Sequence, residues 1–157
     1  MQKVNSFSVD HRKLEPGIYC SEVNGAYTYD IRMVAPANCA SAPSAEVLHT
    51  LEHFLASFFR EKTSDWFSST VLYIGPMGCK TGFYFLSSVH WSEEQVKNAL
   101  LNCCNDVLCA EEIPGATEIT CGNYTFFDLP ATKEFIVDFI IPTFGKKPLQ
   151  TQYPFIP

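Results

Sequence analysis

The motif HTLEH puts His49, Glu52 and His53 close together in the stretch from Val47 to Arg60, which is otherwise apolar and helix-like. A turn of α-helix takes about 3.6 residues, so Glu52 falls ~60° to one side of His49 and His53 ~40° to the other. One helix face can therefore present all three side chains. Two imidazoles at this spacing can hold one metal ion, with a carboxylate near enough to move protons beside it. H-x-x-E-H is among the catalytic metal motifs, although a helix with a polar stripe would read the same way. A catalytic metal centre also needs a third protein ligand and an open position. The leading candidate is Cys121 in EITCGNY, where Gly122 would let the backbone come close to an ion. Taken alone, Cys121 also reads as a small packed residue, and His90 and His11 compete with it as ligands. His90, in SVHWSEE at a strand–helix junction, is expected on the surface.

A second reactive candidate is Cys79 in PMGCKTG. Tight turns expose their residues, and Lys80 next to it would favour the thiolate. Cys103, Cys104 and Cys109 lie on a helical stretch among leucines and valines, where core packing is expected.

These side chains need a scaffold, and the pattern predicts one. SFSVDH alternates and reads as a short strand. GIYCSEV and AYTYDIRMV are rich in β-branched and aromatic residues and flank Asn24-Gly25, a strong hairpin signal. A helix is expected from about Ser44 to Ser64, with Ser44 as its cap. STVLYIG and GFYFLSSV read as two further strands joined by PMGCKT. SEEQVKNALLNCCNDVLCAEE reads as a helix whose Ser92 and Gln95 have capping-box spacing. IPGATEITCGNYTFFD reads as loop. PATKEFIVDFIIPTF opens with Pro130 at a first helical position and should end at Pro142. The tail KKPLQTQYPFIP should be irregular. Strands and helices without strict alternation indicate an α+β fold, a mostly antiparallel sheet packed against helices.

The chain of 157 residues is expected to be a single domain, 1–157, with room for a sizeable core. A net charge of −6 argues against nucleic acid as a partner. The start, MQKVNSFSVDHRKL, has no apolar core of signal-peptide length. No stretch approaches the roughly 18 apolar residues that span a bilayer. A cytoplasmic protein with no membrane partner is the expectation. Seven cysteines, an odd number without a C-x-x-C pair, are expected to be reduced thiols.

HTLEH, PMGCKTGFY and CGNY, in this order and spacing, resemble S-ribosylhomocysteine lyases, the LuxS family. SFSVDH near the start and YDIR ending at Arg32 match further signatures, and the similarity runs from about Ser6 to Leu129. The resemblance implies one divalent metal per subunit, held by His49, His53 and Cys121. Fe(II) would be the usual ion, with Zn or Co as replacements. It implies Glu52 and Cys79 as the acid–base pair, and Ser6, His11 and Arg32 as substrate-holding residues. It implies a homodimer with active sites at the interface, and S-ribosylhomocysteine as substrate. The chain departs from the family pattern at Tyr73, usually aspartate, at Phe127, usually histidine, and in RMVAPAN. A metallopeptidase of the inverzincin type shares H-x-x-E-H, but its third ligand is a glutamate. A non-catalytic metal-binding homologue is the remaining alternative.

Overall fold

A computed structural model describes the backbone from Asn5 to Ile156 and the side chains from Phe7 onward, so the side chain of Ser6 lies outside the described residues. Four strands form one antiparallel sheet: β1 (Gly17–Val23), β2 (Ala26–Arg32), β3 (Val71–Pro76) and β4 (Gly82–Ser87), in the order β1-β2-β4-β3. The β1–β2 hairpin turns on Asn24 and Gly25, whose φ angles of 54° and 78° are both left-handed. This is the geometry that matches the twist of the strands, and asparagine and glycine adopt it most readily. The expected α+β architecture is present, with helices α1 (Ala45–Ser57), α2 (Asp65–Ser68), α3 (Glu93–Cys109) and α4 (Leu129–Phe135). Among the described residues no helix is long and apolar enough to cross a membrane.

Strand alternation divides the sheet into two faces. Tyr29 and Ile31 of β2 pair with Phe85 and Phe83 of β4, and all four are buried on the face covered by the helices. Thr28, Asp30 and Arg32 alternate with them on the outer face, opposite Leu86, Tyr84 and Gly82. Phe59 stacks on Trp91 at 5.7 Å and meets Phe85 edge-on at 4.9 Å in the centre of the core. The Tyr29 hydroxyl donates to the Trp91 carbonyl at 2.7 Å and accepts from the Trp91 amide at 2.6 Å. This locks the approach to α3 onto β2. The capping box then starts α3, with the Ser92 hydroxyl accepting from the Gln95 amide and the Gln95 side chain accepting from the Ser92 amide.

The structure corrects four expectations. SFSVDH is not a strand: Asn5–Ser8 is a 3-10 turn and Val9 makes a single bridge to Phe155. Its alternating pattern serves a small second cluster of Val9, Leu14 and Tyr19 on the outer face, with Tyr153 packed against it. The first long helix widens into a π-coil over Phe58–Lys62. The last helix does the same over Ile136–Gly145 and runs through Pro142. Pro142 leaves one donor missing from the coil, and burial of Ile136, Ile140 and Phe144 holds it in place. Cys103 and Cys104 are buried as expected, but Cys109 is exposed. It ends α3 five positions after Cys104, about 140° around the helix from it.

If Phe59 is central to the core, Phe59→Ala should lower the unfolding free energy by about 3–5 kcal/mol in chemical denaturation. Val137→Ala, at a site 52% exposed on the last helix, should stay within about 0.5 kcal/mol of the parent.

Candidate metal centre and active site

Helix α1 positions the centre. Its Ser44 cap accepts from the Val47 amide at 3.3 Å. Val47, Leu48, Leu51, Phe54 and Leu55 turn into the core, leaving His49, Glu52 and His53 half-buried on the flank. Facing them is the segment from Ala110 to Asp128, which has no helix or strand of its own apart from single turns. Three contacts dock this segment on α1. His53 Nδ1–H donates to the Pro114 carbonyl at 2.6 Å, and His49 Nδ1–H donates to the Phe126 carbonyl at 2.7 Å. The Thr50 hydroxyl accepts from the Asp128 amide at 3.0 Å while donating to the Glu46 carbonyl. Asp128 in turn caps α4 through the Ala131 amide.

These bonds have a chemical consequence. A carbonyl oxygen can only accept, so each Nδ1 carries the proton and each Nε2 keeps its lone pair for a ligand. Cys121 Sγ lies 3.4 Å from His49 Nε2. The ligand atoms of His49, His53 and Cys121 all stand within 4.8 Å of one another. The donor set fits a borderline divalent ion such as zinc or iron, with one coordination position left open.

Phe127 lies against both imidazoles, stacked on His49 at 4.2 Å and edge-on to His53 at 4.8 Å. Here an apolar ring fixes the planes of the two histidines, a role that nothing in the run YTFFD announces. A second glycine, Gly115, supports the centre through its backbone. Its φ of 66° is one that glycine adopts readily and other residues rarely do, and it lies beside His53 Nδ1.

Glu52 and His49 line a cleft of about 400 Å³ together with Gly78 and Lys80 of the β3–β4 turn. Cys79, between those two residues, is exposed, and its thiol is directed elsewhere. It lies 3.1 Å from the Thr81 hydroxyl and 3.5 Å from Arg32 Nη1. Burial acts to raise the Cys79 thiol, but hydrogen bonds to the Thr81 side chain and backbone and the Arg32 charge outweigh it, and the net shift is downward. The favouring cation thus comes from β2, and not from Lys80 as adjacency in sequence suggested.

Arg32 has a side chain only 3% exposed, ion-paired to Asp30, with its Nη1 donating to Thr81 at 2.5 Å. The Arg32 Nε and the Asp30 Oδ1 are buried without a partner among the described residues. His11 is exposed on the same outer face. Its Nδ1–H donates to the Val9 carbonyl, and it lines a cavity of about 450 Å³ with Tyr84 and Tyr153. His90 is on the surface as expected and far from the His49 centre in the fold. It packs on Tyr27 and falls into a separate group with Cys20 and Glu93.

Comparison with known proteins agrees with these motifs. The family model described as S-Ribosylhomocysteinase (LuxS) matches residues 4–147. The S-ribosylhomocysteine lyase of Phocaeicola vulgatus is 40% identical, over 85% of this chain and 84% of its own length. The lyases of Thermus thermophilus and Desulfotalea psychrophila are 38% and 36% identical, each over 85% of this chain and 86% of its own. A match of this extent means that the chain belongs to the LuxS family.

Proposed function

We propose that the protein is a metal-dependent lyase that cleaves S-ribosylhomocysteine to homocysteine and dihydroxypentanedione, the precursor of a furanone signal. The observation that carries this reading is the convergence of His49, His53 and Cys121 with both histidine Nδ1 protons already engaged. Nothing in the geometry favours a peptidase, since the third donor is a thiol. Fe(II) would be the native ion, with Zn or Co as substitutes. When bound, the ion would supply Lewis-acid stabilisation for negative charge developing on substrate oxygen.

The chain's own residues account for the proton traffic. Moving the ribose carbonyl along the sugar requires a carbon-bound proton to be removed at each isomerisation. Cys79, with its pKa lowered by Thr81 and Arg32, is a thiolate base at lower pH than an ordinary thiol. Glu52, lining the cleft beside His49, can carry protons between the hydroxyl oxygens. Once the carbonyl reaches the third carbon, removal of the intervening proton expels homocysteine thiolate. Ser6, His11 and Arg32 would hold the substrate, with Arg32 also steadying the Cys79 thiolate.

A cytoplasmic homodimer with shared sites completes the proposal. The outer face of the sheet and its surroundings leave Tyr73 49%, Tyr84 38%, Val23 52% and Phe155 64% exposed. A second copy of the chain would bury this surface. The metal-facing residues and the Cys79 thiol are directed to different sides of the β3–β4 turn, as expected if one subunit's Cys79 serves its partner's centre.

Cys79→Ala should keep its metal and fold but lose at least about 10²-fold in turnover. In the parent, iodoacetamide should label Cys79 before Cys104, whose thiol burial pushes up to about 12. Near-normal turnover of Cys79→Ala would remove the acid–base assignment. Thr81→Val, which removes one of the bonds that lower the thiol, should move the pH midpoint of Cys79 alkylation upward, and Thr81→Ser should restore it. Finally, Cys79→Ala and Cys121→Ala subunits, each inactive alone, should regain activity when co-refolded. Failure to regain it would place each site within one subunit.

A further inference from the structure

A second group of donors, a thiol, an imidazole and a carboxylate, meets where β1 passes the start of α3. Cys20 on β1, His90 in the connection from β4 and Glu93 in the first turn of α3 bring their ligand atoms within 4.8 Å of one another. They come from three different elements, and no function described above uses them. We propose that Cys20, His90 and Glu93 form a second divalent-cation site, of the kind that takes Zn²⁺.

Each donor is held in place by its surroundings. Cys20 pairs across the sheet with Tyr29 and faces the helices. The Tyr29 hydroxyl grips both the amide and the carbonyl of Trp91, which fixes the connection carrying His90 relative to β1. The His90 ring is packed edge-on to Tyr27 at 5.2 Å and tilted against Tyr29 at 6.4 Å. The capping box of Ser92 and Gln95 sets the backbone of Glu93. Donors around one zinc ion stand roughly 3.3–3.7 Å apart, given metal–ligand distances of about 2.0–2.3 Å. Small rotations of the exposed His90 and of Glu93 would close the observed group to that spacing.

The local charge favours a cation. Glu93 and Glu22 both place negative charge beside Cys20, which a cation would offset; burial raises the thiol and Tyr29 lowers it, so the ion would have to displace the Cys20 proton. The positive end of the α3 dipole opposes a cation, but Glu93 and Glu94 in its first turn offset that field. A thiol and an imidazole select a zinc-class ion over Mg²⁺ or Ca²⁺. Three protein donors leave a fourth position to water. Bound there, the ion would tie the strand at the sheet edge to the start of α3.

The test is Zn²⁺ binding to the metal-free full chain, followed by equilibrium dialysis with metal analysis. The parent should take two equivalents, and His90→Gln and Cys121→Ala one each. The double variant Cys121→Ala/His90→Gln should take none at the same free Zn²⁺. Loss of His90 should weaken the second equivalent by at least about 10-fold. The melting temperature of Cys121→Ala should rise with Zn²⁺, and that rise should vanish in the double variant. His90→Gln loaded with Fe(II) should turn over like the parent, which separates this site from the lyase reading. Equal Zn²⁺ binding by the parent and His90→Gln would overturn the proposal, as would binding to Cys121→Ala that survives the His90 change.

Discussion

The two hydrogen bonds from His49 and His53 to main-chain carbonyls are what the centre depends on. The segment they hold runs from Ala110 to Asp128 without regular structure, and few apolar contacts would keep it on α1. Long loops of this kind in compact domains are usually functional. Here the same imidazoles that present Nε2 to an ion use Nδ1 to anchor the chain that delivers Cys121. Ligand orientation and loop placement are therefore one constraint, and a bound ion would reinforce it by joining Cys121 to α1 a second time. Phe127 completes the arrangement from within that segment by packing on both rings.

A second constraint lies on the outer face of the sheet. Arg32 is buried with Asp30, and burial pushes the Asp30 carboxyl upward although Arg32 opposes it. Removing one member of a buried pair typically costs about 3–5 kcal/mol, because the other charge is left alone. Such a pair is a weak source of stability, and its usefulness here is chemical. Arg32 stands directly beneath Cys79, and Thr81 bonds both. Among the described residues, the unpaired Arg32 Nε and Asp30 Oδ1 mark this as a polar site with groups left to satisfy.

Much of this was legible in the sequence because it is local. The helical spacing of His49, Glu52 and His53, the turn at Asn24-Gly25 and the Ser92–Gln95 box each need only a few residues to declare themselves. Cys121 was legible as a ligand only through its motif, since its partner lies across 72 positions of chain. The union of Arg32 with Cys79 depends on strand register across the β2–β4 pairing, and sequence adjacency pointed to Lys80 instead. The π-coils were hidden because their buried residues keep the i, i+4 spacing of an α-helix, as Ile136, Ile140 and Phe144 do. The role of Gly115 turns on a left-handed φ beside an imidazole, which no local pattern encodes.

Thiol release decides whether these residues make a lyase acting on S-ribosylhomocysteine. The full chain, purified without oxygen and loaded with Fe(II), would be given S-ribosylhomocysteine and the freed thiol measured over time. Homocysteine should be released catalytically with an equal amount of dihydroxypentanedione, and release should be abolished by chelation and restored by added metal. Metal-loaded, folded protein that releases no thiol, or releases it equally after chelation, would contradict the lyase reading.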